Sequence, residues 1–128
     1  MSIIQKTILF KGSKGEAKIA TMFDSGASYS CIRKDIAEKM ANLEKMPEEM
    51  VFGTADNDTY ITANYAVRLN FYLNQDRFSD EFIVLDNLSE EIIIGVKTLQ
   101  SWRMQLDFEH DEIIYDPKVT HLKIVALC

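Results

Sequence analysis

Little in this chain is available for covalent or metal cross-linking. Its 128 residues include two cysteines, Cys31 and Cys128, and two histidines, His110 and His121. The cysteines lack the spacing of a zinc or redox motif and read as free thiols, Cys31 as a small buried apolar residue. A Cys128–Cys128 bond between two copies is the alternative for the second. The histidines lie far apart, in a predicted turn and at a predicted strand start, with no other ligands beside them. Both are expected at the surface, and no metal or other cofactor is expected. Prolines and glycines number only two and five, and no stretch is rich enough in them to make a linker. One domain over residues 1–128 is therefore expected.

Basic residues are also in the minority, 14 against 20 acidic ones, for a net charge of −6. They form no stripe, and this sign of charge repels a phosphate backbone, so no nucleic acid is expected as a partner. A run of about 20 apolar residues, enough to span a membrane, is missing. The start, Met1 to Lys6, does not have the form of a signal peptide. No membrane partner and a cytoplasmic location are expected, unless the chain is cut from a larger precursor. What is plentiful is apolar side chains, 47% of the total. That is enough for a core, although at this length a second chain would add useful buried surface.

Most of the patterning has period two, the mark of strands. Ile3 to Phe10 and Glu16 to Phe23 flank a turn at Lys11-Gly12-Ser13-Lys14-Gly15. In the second of them Ala17, Ile19, Thr21 and Phe23 share a face. Arg33 to Met40 has the spacing of a short helix, and Pro47 is expected to end that region. Met50 to Ala55 and Thr59 onward read as two strands about a polar turn, Asp56-Asn57-Asp58, with Glu48 and Glu49 in a solvated loop before them. From Ala63 to Leu73 apolar residues alternate strictly: Ala63, Tyr65, Val67, Leu69, Phe71, Leu73. This predicts a long strand with one buried face. Asn74 to Arg77 turns the chain into Phe78 to Asp86. Ile92-Ile93-Ile94 suits a strand covered on both sides, and Val96 to Trp102 one or two helical turns. Met104 to Phe108 and Glu112 to Tyr115 read as a hairpin, and Leu122 to Leu127 as a last strand. Many short strands joined by turns predict a mostly β barrel or sandwich.

One segment carries chemistry. Asp24 follows a strand directly and precedes Ser25-Gly26, so its carboxylate stands on a rigid support beside a residue that allows close backbone approach. Taken alone, the tripeptide is weak, since about one chain in twenty of this length carries Asp-Ser/Thr-Gly by chance at average residue usage. An Asx-turn at a strand end is its ordinary explanation. Ser28 and Ser30 lack a histidine placed to activate them and read as turn residues.

Two further features raise the weight of that tripeptide. Ala20 to Ser28 is an apolar strand running into Asp-Ser-Gly-Ala, and Ile92-Ile93-Ile94-Gly95 is an apolar triplet ending in glycine ahead of a short helix. In this order the chain resembles the retropepsin-like aspartic proteases over nearly its whole length. The resemblance implies a retropepsin-like acid protease barrel with one or two short helices, working as a two-fold homodimer. It implies Asp24 as the catalytic residue, with Ser25, Gly26 and Ala27 supporting the active loop and Ile94-Gly95 as the second structural motif. Ala55, Asp56, Asn57, Asp58, Thr59 and Tyr60 would form the flap tip over the substrate. Two departures stand out: the flap tip has no glycine, and Val96 takes a place where the family often has a polar residue.

Aspartic peptidase chemistry needs two carboxylates, and this chain has one Asp-Ser/Thr-Gly. The second must then come from a second copy about a two-fold axis. The expected function is an aspartic endopeptidase acting on a peptide or protein substrate. The alternative is a catalytically weak or inactive dimerisation and peptide-binding module. A third reading makes the chain part of a longer protein, released by self-cleavage.

Overall fold

The computed structural model describes residues 3–54 and 59–124. Strand β1 (Ile3–Lys11) pairs antiparallel with β2 (Glu16–Asp24) along its full length, Ile3 opposite Asp24 and Lys11 opposite Glu16. A short β3 (Cys31–Arg33) leads into helix α1 (Lys34–Met40), and β4 (Glu44–Gly53) and β5 (Tyr60–Leu73) form the next hairpin. β5 turns into β6 (Asp76–Leu85); then come β7 (Ile92–Ile94), helix α2 (Val96–Ser101), and a small hairpin of β8 (Gln105–Asp107) and β9 (Glu112–Ile114). A single 3-10 turn, Pro117–Thr120, follows.

Six strands close on themselves in the order β1-β2-β7-β3-β6-β5, because Phe10 and Lys11 of β1 also pair with Phe71 and Asn70 of β5. β4 joins this ring at β5. Where β1 meets β5, closure pairs backbone groups that an open sheet would leave exposed. Inside lie Phe10, Phe71, Phe78 and Phe82, all fully buried. Their rings meet at 5.5–6.1 Å between centroids, stacked, tilted or edge-on, and Trp102 and Tyr115 close the cluster edge-on against Phe78. Such geometries add stabilisation beyond the area buried.

The turn between β5 and β6 places Asn74 and Gln75 at φ of 50° and 71°. Two left-handed residues in succession are what a two-residue hairpin needs to match the twist of its strands. A phenol secures this turn from outside. Tyr115 donates to the Leu73 carbonyl at 2.9 Å and lies 2.6 Å from Asp76 Oδ2.

Several expectations need correction. β4 begins at Glu44 and runs through Pro47, Glu48 and Glu49. Proline fits there because the register to β5 shifts between Lys45 and Met50, so that stretch needs no ladder bond from residue 47. Tyr65 is exposed while Ala66 is buried: the strict alternation expected in β5 breaks beside that register shift. Ala17 lies exposed next to the turn that begins β2, leaving Ile19, Thr21 and Phe23 as the buried set. Residues 121–124 form no strand, since nothing among the described residues pairs with them; residues 125–127 of the expected last strand, and Cys128, lie outside the described residues. Among the described residues, no helix is long and apolar enough to cross a membrane.

Candidate active site

The site is set by a crossing of the chain. β7 lies between β2 and β3 in the sheet, so the segment from Asp24 to Cys31 must pass over one end of β7 to reach its own strand. β2 and β7 run parallel, with Phe23 beside Ile94. The next step brings Asp24 level with Gly95. The two features singled out in the sequence, with Asp24 and Gly95 71 positions apart, are thus neighbours in space.

Gly95 is required by this crossing. A Cβ there would lie 2.6 Å from the Tyr29 carbonyl oxygen and 2.8 Å from that of Ala27, both immobile backbone atoms. The close approach lets the start of α2 hold the loop: Val96 N–H donates to Ala27 O at 2.7 Å and Lys97 N–H to Ser28 O at 3.3 Å. Gly95 N–H donates to the Ser30 hydroxyl at 3.0 Å, and Ser30 and Thr98 hydroxyls are 2.6 Å apart. Thr98 in turn donates to Asp80 Oδ2 at 2.6 Å. Ser30, Thr98 and Asp80 carried no signal in the sequence as a group.

Asp24 itself is half-buried at the end of β2. Its Oδ1 accepts from Gly26 N–H at 2.8 Å, and its carbonyl accepts from Ala27 N–H at 3.2 Å. This is an Asx-turn, and it orients the carboxylate without consuming Oδ2, which has no hydrogen-bond partner among the described residues. Ser25 and Gly26 are exposed at the tip of the turn and Ala27 is half-buried.

Beyond Tyr29 a second, smaller apolar cluster begins. Cys31, Ala63, Ala66, Ile83 and Leu85 are its buried members, with Tyr29, Met50, Phe52 and Leu88 packed against them. Tyr29 meets Phe52 edge-on at 5.8 Å, which ties the Asp24 loop to the β4–β5 hairpin. Lys97 Nζ sits 4.7 Å over the Tyr29 ring. Burial pushes the Cys31 thiol up to about 11, so it stays protonated at neutral pH and is no nucleophile.

Of the residues expected in the flap tip, Ala55, Asp56, Asn57 and Asp58 lie outside the described residues. The hairpin neck is described: Gly53 pairs with Tyr60, and Thr54 N–H donates to Thr59 O at 3.1 Å. Tyr60 is 71% exposed. It borders a cavity of about 460 Å³ shared with Ile61, Leu85 and Leu88. Asp24 does not line that cavity. Among the described residues, no group of three or more His, Cys, Asp or Glu side chains is placed to hold a metal ion.

Comparison with known proteins gives this geometry a lineage. The chain superposes on the retroviral protease-like domain of Ddi1 from Leishmania major with a TM-score of 0.67, at 18% identity, over 91% of this chain and 90% of that one. It superposes on the EIAV protease in an inhibitor complex with a TM-score of 0.61, at 12% identity, over 81% of this chain and 91% of that one. At such identities the likeness is one of fold, and it confirms the expected retropepsin-like barrel. No curated protein sequence matches the chain. A family model described as retroviral aspartyl protease does match, over residues 1–121. With that span, the chain belongs to the retroviral aspartyl protease family.

Proposed function

We propose that this protein is an aspartic endopeptidase that works as a homodimer, with Asp24 of each copy forming the catalytic pair. The observation that carries the reading is Asp24 itself. Its carboxylate is oriented through Oδ1 by Gly26 N–H on a loop clamped by Gly95 and α2. One such loop supplies half of the required chemistry, and the chain has a single Asp-Ser/Thr-Gly.

Two carboxylates in contact share one proton, because like charges at that distance cannot both ionise; this is the general situation of the aspartic-protease dyad. The ionised member takes a proton from a water molecule, whose oxygen then bonds to the scissile carbonyl carbon. The protonated member gives its proton to the carbonyl oxygen. Collapse of the resulting tetrahedral species breaks the C–N bond as the amine nitrogen takes up a proton. In this reading Ser25 bonds across the dimer interface, Gly26 faces the peptide backbone, and the segment from Ala55 to Tyr60 closes over the peptide and excludes water. The Tyr29–Phe52 contact supports a cleft wall leading from the loop to that flap.

The test is hydrolysis of a peptide library by the purified chain. The expected result is cleavage whose rate per chain rises with protein concentration until dimers saturate, with Asp24→Asn lowering kcat at least ~100-fold. Cleavage undiminished in Asp24→Asn would sink the assignment. A second reading, a binding module that cuts nothing, is favoured by the glycine-free Asp56-Asn57-Asp58 and by Val96. Peptide binding without cleavage across a broad pH range would decide for it.

A further inference from the structure

The loop of Asp24 is held by groups that begin elsewhere, on β6. Gly95 N–H donates to Ser30 Oγ at 3.0 Å, Ser30 Oγ lies 2.6 Å from Thr98 Oγ1, and Thr98 Oγ1 donates to Asp80 Oδ2 at 2.6 Å. Each hydroxyl has one hydrogen to give. Thr98 gives its own to Asp80, so Ser30 must be the donor in the Ser30–Thr98 contact. The Ser30 oxygen, as acceptor, takes the Gly95 N–H. The chain therefore runs one way, from Gly95 through Ser30 and Thr98 to Asp80. It ends on a carboxylate whose other oxygen accepts from Glu81 N–H at 2.7 Å. Ser30 and Thr98 are 2% and 1% exposed, so water does not readily replace a lost partner.

We propose that Asp80 is a positioning residue for the Asp24 loop, acting through Thr98 and Ser30 on Gly95. The inference rests on the peptidase reading above for its catalytic consequence, though not for the hydrogen-bond chain itself. An acceptor at residue 80 takes the Thr98 hydrogen and so sets the direction of the Ser30–Thr98 bond; without it one of the two buried hydroxyls has no acceptor for its hydrogen. With the Gly95 amide held, Val96 and Lys97 keep their N–H groups on Ala27 and Ser28, and the turn that orients Asp24 keeps its shape. A carboxylate suits the end of such a chain because both its oxygens accept. Asparagine accepts at one oxygen only: it keeps the Thr98 bond, but its NH₂ then faces Glu81 N–H, donor against donor, and that second bond is lost.

The experiment uses the full chain with Asp80→Ala, Asp80→Asn, Thr98→Val and the double variant Asp80→Ala/Thr98→Val. Amide hydrogen exchange is read at Gly95, Val96 and Lys97, and at core amides of β5 as a reference; kcat and KM are read on a peptide that the wild type cleaves. Asp80→Ala is expected to quicken Gly95 exchange about tenfold, with β5 unchanged. Asp80→Asn should quicken it less. The kcat of Asp80→Ala should fall about tenfold with KM within about twofold, and the double variant should match Thr98→Val, because the two act in one chain. Unchanged Gly95 exchange, equal acceleration of Gly95 and β5, or additive effects in the double variant would each overturn the proposal. If Asp80→Ala does not fold, Thr98→Val, which removes the link between Asp80 and Ser30, carries the comparison: local acceleration at Gly95 supports the proposal and none overturns it. A wild type that cuts no peptide removes the peptidase reading, and the exchange pattern alone then decides for or against Asp80.

Discussion

Two apolar clusters sit side by side in this barrel, and they are built from different side chains. The larger is aromatic at its heart, with Phe10, Phe71, Phe78 and Phe82 fully buried among isoleucines and leucines. The smaller is assembled around Cys31, Ala63, Ala66, Ile83 and Leu85, and its outer members, Met46, Met50 and Phe52, are only half-buried. The difference separates stability from chemistry. Large rings bury much area and tolerate no gap, so the first cluster holds the barrel shut. Small and flexible side chains leave room and allow adjustment, which suits a wall beside the Asp24 loop.

The sharpest way to break that contrast is to hollow out the larger cluster. Phe71→Ala is expected to cost about 3–5 kcal/mol of unfolding free energy, through lost burial and the cavity left behind. Urea denaturation measures it. Activity per folded molecule should stay near the wild-type value, since Phe71 does not touch the Asp24 loop. A folded Phe71→Ala protein with a large loss of kcat would mean that the two clusters are not functionally distinct.

Gly95→Ala should invert the pattern. The added methyl meets the Tyr29 and Ala27 carbonyl oxygens, so the loop must move away from α2. Overpacking of this kind costs about 1–3 kcal/mol. The larger consequence is expected in catalysis, a fall of about 100-fold in kcat, the scale on which ångström displacements in an active site act. Full activity in Gly95→Ala would show that the clamp does not matter to the chemistry.

A smaller effect belongs to the far end of the barrel. Tyr115→Phe removes the donor to the Leu73 carbonyl and the bond to Asp76 while keeping the ring against Phe78. A loss of about 1–2 kcal/mol is expected, with kcat unchanged. It would sharpen the comparison by showing that polar clamps away from Asp24 carry stability alone.

How much of this was legible beforehand depends on whether the signal is local. Asp24-Ser25-Gly26 and Ile94-Gly95 are short consecutive motifs, and each could be found without knowing the other's place. The buried face of β5 from Val67 to Leu73 was equally plain, because period two needs only the strand itself. At Tyr65 and Ala66 the pattern failed, and the cause lies on another strand, in the shifted register of β4 between Lys45 and Met50. Leu122 and Ile124 alternate as a strand would, yet stand 72% and 75% exposed: alternation describes a surface that suits pairing, and pairing needs a partner. Ser30, Thr98 and Asp80 were silent for a related reason. They lie up to 68 residues apart, and hydroxyl side chains occur equally at turns and surfaces.

The smallest effect tests the character of the second cluster through pH. Burial raises the Cys31 thiol from 9.0 to about 11, so the folded state binds its proton more tightly than the unfolded state does. The stability this represents is complete below the unfolded value and is lost as pH climbs through the folded one. Between pH 9 and pH 11 the wild type should therefore lose stability faster than Cys31→Ala, by about 1 kcal/mol at pH 10. Groups common to both proteins cancel in the difference. Denaturation curves at pH 7 and pH 10 for the pair give the answer. Equal slopes would mean that water reaches the thiol, and that the cluster beside Asp24 is wetter than its packing implies.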